Sequence, residues 1–243
     1  CFELEDQSIW FKHRNDCIAL VISQYPPTGP ILDVGGGNGF VAKRLIEEGN
    51  EVSLLEPGPV GAFNAKHQRN IPEVILSSLE QVDFPEGSIN AIGCFDVIEH
   101  IKDDLSFVNK IHNLLKPKGM FYATLPAHQF LWSYHDICPS THQRRYNKEI
   151  ICKLLSKRFD LIFYSYIFKP LFLPTFIFRR IPYCINYHKQ SKNLSEEFGH
   201  TAGGGLINNI LKNLLKNELY KLKSGKKINL GTSCIFAAKK ITI

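Results

Sequence analysis

Three features are absent from this 243-residue sequence, and each absence excludes or weakens a class of protein. No Cys-x-x-Cys pair occurs among the seven cysteines, which leaves zinc ribbons and thioredoxin-like redox sites without support. No uncharged apolar run approaches the roughly 20 residues of a spanning helix, which excludes a bundle of membrane spans. No block of like charge occurs either, because the excess of Lys and Arg (29) over Asp and Glu (23) is spread along the chain. That excess of +6 permits an anionic partner without arguing for nucleic acid.

The composition is that of a soluble globular protein. Hydrophobic residues make up 44% of the chain and charged residues 21%, which excludes wholesale disorder and collagen-like repeats. A length of 243 residues fits one domain. Seven cysteines cannot all pair within one chain, and several lie in apolar runs, where a free thiol behaves as a small hydrophobe. Since the opening CFELEDQ has no signal-peptide character, we expect a cytoplasmic protein.

Apolar runs of strand length alternate with segments of helical period along the chain. This alternation predicts a doubly wound α/β fold with a mostly parallel seven-stranded sheet and helices on both faces. Strands are predicted at 31–34, 52–56, 73–76, 89–95, 119–125, 159–168 and 232–240. Helices are predicted at 38–48, 103–115, 147–157 and about 205–221, the last of them in an insertion before the final strand.

Three segments interrupt the alternation. Residues 126–146 form a long loop rich in His, Arg and aromatic side chains, and loops of this length inside compact domains are usually functional. Residues 166–181 are strongly apolar but contain Lys and Pro, which predicts a buried helix pair or an apolar lip beside the site. Residues 188–200 are polar and predict a mobile linker.

A glycine-rich turn, DVGGGNG, follows the first predicted strand at 33–39. Glycine lets the backbone turn tightly and approach a ligand closely. A dinucleotide site starting at Gly35 needs a glycine at position 40, which is Phe40 in this chain. Asp33 would repel a pyrophosphate but suits an ammonium group. The turn therefore argues against a nicotinamide dinucleotide.

Glu56 ends the second predicted strand, 17 residues after Gly39. A carboxylate there can accept hydrogen bonds from both hydroxyls of a ribose. The turn and the acid could each serve only to shape the backbone. Their order and spacing together favour a nucleoside-containing cofactor.

These residues resemble the class I S-adenosylmethionine-dependent methyltransferases, in a type 11/12-like subgroup, with DVGGGNG as the glycine-rich motif and Glu56 as the ribose-binding acid. The resemblance covers most of the chain, including 77–104 and 114–126. It implies S-adenosyl-L-methionine as cofactor, S-adenosyl-L-homocysteine as product, and an antiparallel seventh strand beside the fifth. Ser78 stands where many relatives carry an Asp for the adenine amino group. The implied cofactor-binding residues are Arg14, Asp33, Gly35, Gly36, Gly37, Gly39, Glu56, Pro57, Ser78, Leu79 and Phe95.

The loop at 126–146 resembles an S-x-x-D…H-x-R-R-Y pattern of the same subgroup. Methyl transfer to oxygen is expected, because a loop histidine suits the role of general base near neutral pH. The candidate catalytic residues are His128, His135, Asp136 and His142, of which His135 and His142 stand at the motif positions. The candidates for binding an anionic acceptor are Arg144, Arg145 and Tyr146. Alternatively, these His and Arg side chains only hold the loop against the sheet.

Asp96, Glu99 and His100 follow the fourth predicted strand at spacing i, i+3, i+4, which places three ligand-type side chains on one face of a helical turn. Similar stretches bind metal in some quinone-pathway and RNA 2′-O-methyltransferases that this segment resembles, and brace a loop in other relatives. A divalent metal is an alternative that the sequence does not favour. The tract 9–14 predicts a helix over the cofactor, where Arg14 meets the methionine carboxylate, or an amphipathic helix that only docks.

We expect one methyltransferase domain over 1–243, made of an N-terminal helical cap (1–28), a cofactor-binding core (29–168), a helical insertion and linker (169–230) and a final strand (231–243). The predicted activity is O-methylation of a small-molecule, sugar or lipid-linked acceptor. The alternatives are a non-catalytic S-adenosylmethionine-binding protein and an RNA methyltransferase, against which the dispersed charge counts. The segment 166–181 could accept a lipid chain, pack in the core or form a dimer contact. Peripheral membrane contact and oligomeric state stay open.

Overall fold

The computed structural model describes residues 2–138, 140–186 and 206–242. Seven strands form one sheet in the order β3-β2-β1-β4-β5-β7-β6, in which β7 alone runs antiparallel to its neighbours. The predicted doubly wound fold is therefore confirmed, as is the insertion of the last strand beside the fifth. The strands are β1 Ile31–Val34, β2 Val52–Leu55, β3 Glu73–Ile75, β4 Ile89–Phe95, β5 Leu115–Pro126, β6 Phe159–Ile167 and β7 Ser233–Lys240.

Helices cover both faces of the sheet and its carboxyl-terminal edge. They are α1 Phe2–Gln7, α2 Ile9–Gln24, α3 Phe40–Glu47, α4 Pro59–His67, α5 Asp104–Leu114, α6 Tyr134–Ile137, α7 Lys148–Leu155, α8 Lys169–Thr175, α9 Ile181–Cys184 and α10 Leu206–Lys223. Two 3₁₀ turns lie at Ile98–His100 and Gln129–Leu131, and a π-helical turn at Phe176–Arg180 joins α8 to α9.

Side-chain caps fix where several helices begin. The Asp103 carboxylate accepts a hydrogen bond from the Ser106 amide at 2.9 Å, and Asn147 caps α7 through the Ile150 amide at the same distance. Ser8 caps α2 through the amide of Phe11. These caps satisfy amides that have no partner within the helix.

The central strands are buried on both sides, as expected for a sheet covered by helices on each face. All four residues of β1 are buried, and the core divides into two apolar clusters. One cluster packs α2, α3 and α10 on the sheet, and the other packs α5 and α7. Strand pairing thus places the carboxyl ends of β1, β2, β4 and β5 together at one edge.

The structure differs most from the sequence prediction at three places. Helix α4 was not predicted, and β5 begins at Leu115 rather than at 119, with a register shift against β4. The apolar segment forms one helical stretch, from α8 through α9, with large side chains exposed rather than buried. The predicted linker 188–200 lies outside the described residues. None of the described helices is long and apolar enough to cross a membrane.

Candidate cofactor site and acceptor loop

The glycine-rich turn lies between β1 and α3. Gly37 has φ 54°, a left-handed conformation that favours glycine, and its amide donates a hydrogen bond to Glu56 Oε2 at 2.9 Å. A Cβ on Gly36 would come within 2.7 Å of both Asp33 Oδ2 and Leu54 Cδ1. The turn consequently requires glycine at position 37 for its backbone conformation and at position 36 for lack of space.

Glu56 follows β2 directly, one residue beyond the end of the strand that was predicted to include it. Its second oxygen, Oε1, accepts a hydrogen bond from the Gly58 amide at 2.7 Å. Each carboxylate oxygen can accept a second hydrogen bond, and the side chain is only half-buried. Two backbone amides thus hold Glu56, and its carboxylate can still accept hydrogen bonds from the hydroxyls of a ribose.

Asp33 is the last but one residue of β1 and is fully buried. Neither carboxylate oxygen has a hydrogen-bond partner of normal geometry among the described residues. Burial raises the pKa of Asp33 to about 7, and Glu56 acts in the same direction, while Arg14 and the Ala42 amide oppose the shift. A buried carboxylate without a partner suits a cationic ligand. The ammonium group of S-adenosylmethionine fits this requirement.

Helix α2 lies over the site and brings Arg14 to the end of β4. The Arg14 guanidinium donates to Asp96 Oδ2 and lies 5.1 Å from the centre of the Trp10 ring. Thr124 donates to the other Asp96 oxygen at 3.1 Å. The side chain of Asn15 fastens α2 to the start of α3, through the carbonyl of Phe40 at 3.1 Å. The predicted N-terminal helix is present, with its arginine ion-paired at the end of β4, and its contact with a cofactor stays a prediction.

The remaining predicted cofactor residues differ in burial. Leu79 and Phe95 are buried, Ser78 is half-buried, and Pro57 is exposed beside Glu56. Phe95 packs over Gly93, where an added Cβ would lie 2.5 Å from the phenyl ring. Their contacts with a cofactor stay predictions.

Asp136 is the centre of the acceptor loop, which we define as residues 126–146. Its Oδ1 accepts hydrogen bonds from His142 Nδ1 at 3.0 Å and Arg145 Nε at 2.7 Å, and its Oδ2 accepts from the Ser133 amide at 2.9 Å. Burial alone would raise the pKa of Asp136, but the hydrogen bond from His142, the Arg145 charge and the Ser133 amide together lower it to about 2. Asp136 is therefore an ionised acceptor at neutral pH.

Arg144, Arg145 and Tyr146 all have partners within the chain. Arg144 donates to the carbonyls of residues 101 and 102 at 3.0 and 2.7 Å and forms a 2.9 Å ion pair with Asp104. Arg145 also donates to the Ala127 carbonyl at 3.1 Å. The buried Tyr146 hydroxyl donates to Asp104 Oδ2 at 2.9 Å. These contacts support the alternative in which the three residues hold the loop, and their binding of an acceptor stays a prediction.

His142 lies next to the 3₁₀ turn after β4. One ligand atom each of Glu99, His100 and His142 lies within 4.8 Å of the other two. Glu99 is buried and its Oε2 has no partner among the described residues; burial and then Asp96 hold its pKa well above the usual range. This group replaces the set predicted from sequence, because Arg14 and Thr124 engage Asp96. No local spacing could have identified His142, which is 42 residues beyond His100.

The other two loop histidines have different surroundings. His128 has φ 62° and ψ 105°, an uncommon backbone conformation for a residue other than glycine, and its ring stacks on Tyr166 at 4.6 Å. Its buried Nε2 has no partner among the described residues, and burial followed by Arg145 lowers its pKa. His135 lies in α6 and is half-buried.

The fold and the site together define a protein that binds a nucleoside cofactor at the carboxyl edge of an α/β sheet. A family model described as a methyltransferase domain matches residues 32–123. A probable S-adenosylmethionine-dependent methyltransferase of Mycolicibacterium smegmatis is 22% identical over 123 residues, covering 51% of this chain and 48% of that protein. The ubiquinone biosynthesis O-methyltransferase of Erwinia tasmaniensis is 32% identical over 108 residues, covering 42% and 44%.

Solved structures agree in fold. The S-adenosylmethionine-dependent methyltransferase of Archaeoglobus fulgidus superposes with a TM-score of 0.55 at 13% identity, covering 93% of this chain and 94% of that one. The phosphoethanolamine N-methyltransferase 2 of Haemonchus contortus, solved with S-adenosyl-L-methionine, gives 0.55 at 18% identity, covering 94% and 53%. Residues 32–123 of the chain thus match the methyltransferase-domain family, and the chain shares the fold of S-adenosylmethionine-dependent methyltransferases. It matches less than half the length of either sequence relative described above.

Proposed function

We propose that this chain methylates a hydroxyl group of a small-molecule acceptor, with S-adenosylmethionine as methyl donor and His142 as general base. The observation that carries the proposal is the Asp136–His142 hydrogen bond of 3.0 Å in the acceptor loop. The Erwinia relative is named as an O-methyltransferase of ubiquinone biosynthesis, which supports oxygen as the acceptor atom.

The protonation of this pair follows from Asp136. Because the ionised carboxylate can only accept, His142 Nδ1 carries the proton of the shared hydrogen bond. His142 Nε2 is then the basic nitrogen and can take the proton of an acceptor hydroxyl as its oxygen becomes the nucleophile. Asp136 orients the imidazole and stabilises the charge that forms on it.

When bound, S-adenosylmethionine supplies a methyl group activated by a sulfonium, so the protein has mainly to bind and orient the reactants. Asp33 attracts the ammonium group, Glu56 accepts from the ribose hydroxyls, and Arg14 binds the methionine carboxylate. Helix α2 covers this side and excludes water. The acceptor loop bounds the opposite side and supplies the base.

A divalent metal is a second way to use the same residues. Glu99, His100 and His142 offer one oxygen and two nitrogens, a donor set suited to zinc or iron(II). A metal held there would activate the acceptor hydroxyl by lowering its pKa. His142 could not act as a free base in that arrangement, so the two mechanisms exclude each other.

The base is tested with His142→Ala and, as a matched control, His67→Ala on the exposed end of α4. Methyl-labelled S-adenosylmethionine is incubated with the protein and an extract of the source cells, and product label is counted. We expect His142→Ala to lower turnover about 100-fold or more, with cofactor affinity unchanged by calorimetry. Added imidazole should restore part of the rate, which a merely structural role would not allow.

Other outcomes separate the alternatives. Cofactor binding without label transfer to any acceptor favours a non-catalytic binding protein, and label in the RNA fraction favours an RNA methyltransferase. Full activity of His142→Ala would contradict the assigned base.

The metal is tested on the wild-type protein by dialysis against chelator, followed by elemental analysis and assay. The general-base mechanism predicts undiminished turnover without metal. Loss of turnover that returns with one added divalent cation, together with loss of that cation's binding in Glu99→Gln, would favour the metal mechanism instead.

A further inference from the structure

One face of the helical stretch from α8 to α9 packs against the acceptor loop. The ring of Phe172 lies 6.0 Å from that of Phe130, and the ring of Tyr183 lies 4.8 Å from that of Tyr134 in α6. Arg179 stands seven residues after Phe172 and four before Tyr183, and side chains at this spacing share one face of a helix. The spacing therefore directs Arg179 toward the acceptor loop.

The π-helical turn between α8 and α9 presents two consecutive arginines to this loop. Arg180 Nη1 donates to the Trp132 carbonyl at 3.0 Å. Arg179 is half-buried, and burial followed by the Arg145 charge lowers its pKa, while the Asp136 carboxylate opposes that shift. Both arginines thus lie against the acceptor loop, one fixed by a hydrogen bond and the other beside the pair of Arg145 and Asp136.

Arg179 is the arginine of this region without a bonding partner among the described residues. Arg144, Arg145 and Arg180 each donate hydrogen bonds within the chain. Arg179 forms neither a hydrogen bond nor an ion pair with any residue that the structure describes. A guanidinium carries five N–H donors, and its removal from water without acceptors costs free energy. These open donors indicate an oxyanion that completes the site.

His128 adds a further unsatisfied nitrogen on the loop side. Its ring lies 5.8 Å from that of Phe172, on the face that carries Arg179, and its buried Nε2 has no partner in the described part of the chain. Burial and then Arg145 lower its pKa, so the ring is neutral near pH 7 and can donate one N–H. We define the cationic pocket as His128, Arg145 and Arg179.

Asp136 cannot satisfy both guanidiniums of the cationic pocket. Its Oδ1 accepts from His142 and Arg145, and its Oδ2 accepts from the amide and the hydroxyl of Ser133. These four hydrogen bonds use the acceptor positions of a carboxylate and leave none for Arg179. A bound carboxylate or phosphate would supply the missing acceptors and the missing negative charge, because the planar guanidinium matches both groups.

We propose that the cationic pocket binds an acid group of the methyl acceptor, a carboxylate or a phosphate, and that Arg179 selects for it. The inference rests on the proposed function, because it names the acceptor class of that same site: a small molecule that carries both a hydroxyl and an oxyanion. Asp136 bonds to the proposed base, His142, as well as to Arg145, so the pocket adjoins the base. Binding of the acid group then orients the hydroxyl for methyl transfer.

Binding of the acid group is tested by calorimetry on the full chain saturated with S-adenosylhomocysteine. Benzoate and inorganic phosphate are the anionic probes, and benzamide is the neutral counterpart of benzoate. We expect the wild type to bind at least one of the two anions and Arg179→Gln to bind it about tenfold or more weakly. Arg179→Lys keeps the charge without the planar fork and should give an intermediate affinity.

Arg158→Gln is the matched control, because Arg158 is also half-buried and lies before β6, at the opposite edge of the sheet. It should bind the anion as the wild type does. Melting temperature serves as the folding check, and Arg179→Lys carries the comparison if Arg179→Gln unfolds. Equal anion binding by the wild type and the folded Arg179 variant overturns the proposal. Binding of neither anion, or equal binding of benzoate and benzamide without phosphate binding, overturns it as well.

The labelled product identifies the acceptor class directly. Product formed from methyl-labelled S-adenosylmethionine and source-cell extract is applied to an anion exchanger at pH 8, where we expect it to be retained. Release below about pH 3 indicates a carboxylate, whereas a phosphate monoester keeps a charge there. Label in neutral products contradicts this inference and leaves the proposed methyl transfer intact. Absence of label contradicts the proposed function, and calorimetry then decides whether the pocket binds an anion.

Discussion

At the scale of single residues, two buried aspartates have opposite roles. Asp33 is buried and has no hydrogen-bond partner of normal geometry among the described residues, whereas Asp136 is buried and satisfied by His142, Arg145 and Ser133. The pKa of Asp33 is raised to about 7 and that of Asp136 is lowered to about 2. At neutral pH the buried charge of Asp33 thus destabilises the fold, whereas the charge of Asp136 stabilises it.

Asp33→Asn is expected to stabilise the cofactor-free protein and to weaken cofactor binding. The raised pKa means that the native state binds a proton more tightly than the unfolded chain, so stability is greatest below the unfolded value of 3.8 and is lost as pH rises through about 7. Because Asn carries no charge, the variant does not lose stability as pH rises through this range. At pH 8 we expect the free energy of unfolding to be higher by on the order of 1–3 kcal/mol, which raises the melting temperature by a few degrees. We also expect the variant to bind S-adenosylmethionine at least tenfold more weakly by calorimetry.

Asp136→Asn provides the contrast. Its carboxylate stabilises the fold above the unfolded pKa of 3.8, and that contribution is lost only as pH falls through about 2, so the substitution should lower the melting temperature at pH 8. A lower melting temperature for Asp33→Asn as well would show that Asp33 is satisfied in solution and would contradict its assignment to the cofactor ammonium.

At the scale of elements, one carboxylate joins three helices. Glu218 of α10 accepts hydrogen bonds from the amides of Phe168 and Lys169 at 2.6 and 2.7 Å and from His13 Nε2 of α2 at 2.9 Å. It therefore fixes the start of α8, behind the acceptor loop, to the helix that covers the cofactor site. Glu218 is 4% exposed, so few of these bonds can be replaced by water.

Glu218→Gln is expected to destabilise the protein by about 2–4 kcal/mol, because its amide donor would face a backbone donor and the charge would be lost. That corresponds to a fall of roughly 4–15 °C in melting temperature for a chain of this size. Glu47→Gln, at an exposed position of α3, is the matched control and should change it by less than about 2 °C. Equal melting temperatures of the two variants would refute the assigned role of Glu218.

The elements found by sequence analysis were those with a local signature. The glycine turn between β1 and α3 and the acid after β2 could be identified from order and spacing alone. Helix α4 was missed because its large apolar residues, Val60 and Phe63, are exposed while only Ala62 and Ala65 are buried. The positions of its large apolar residues therefore predict burial of a face that is exposed in the structure.

Contacts between distant parts of the chain could not be predicted in the same way. The Arg14–Asp96 pair spans 82 positions and the His13–Glu218 pair 205. Their geometry depends on how the sheet brings helices together. The seventh strand is an exception, because its place followed from resemblance to a family whose topology is known.

At the scale of the whole molecule, the six cysteines that the structure describes are divided between core and surface. Cys17 on α2, Cys94 on β4 and Cys234 on β7 are each 0% exposed, whereas Cys138, Cys152 and Cys184 are exposed. Burial, the largest cause, raises the pKa of all three core thiols, that of Cys234 to about 12. Because only an exposed thiolate reacts readily, the core thiols report opening of the fold.

Thiol labelling followed by mass spectrometry should therefore give two classes of site. We expect the three exposed cysteines to react at once and the three core cysteines only as the protein opens. Cofactor at 100 times its dissociation constant stabilises the folded state by about 2.7 kcal/mol, which should slow core labelling by about 100-fold where the cysteine reacts through global opening. At the same cofactor concentration the Asp33→Asn variant, which binds at least tenfold more weakly, should show slowing of about tenfold or less. If Cys17 alone labels early and is protected by cofactor, α2 opens separately from the sheet to admit the cofactor. If Cys94 and Cys234 label as fast as Cys138, the packed core described above is wrong.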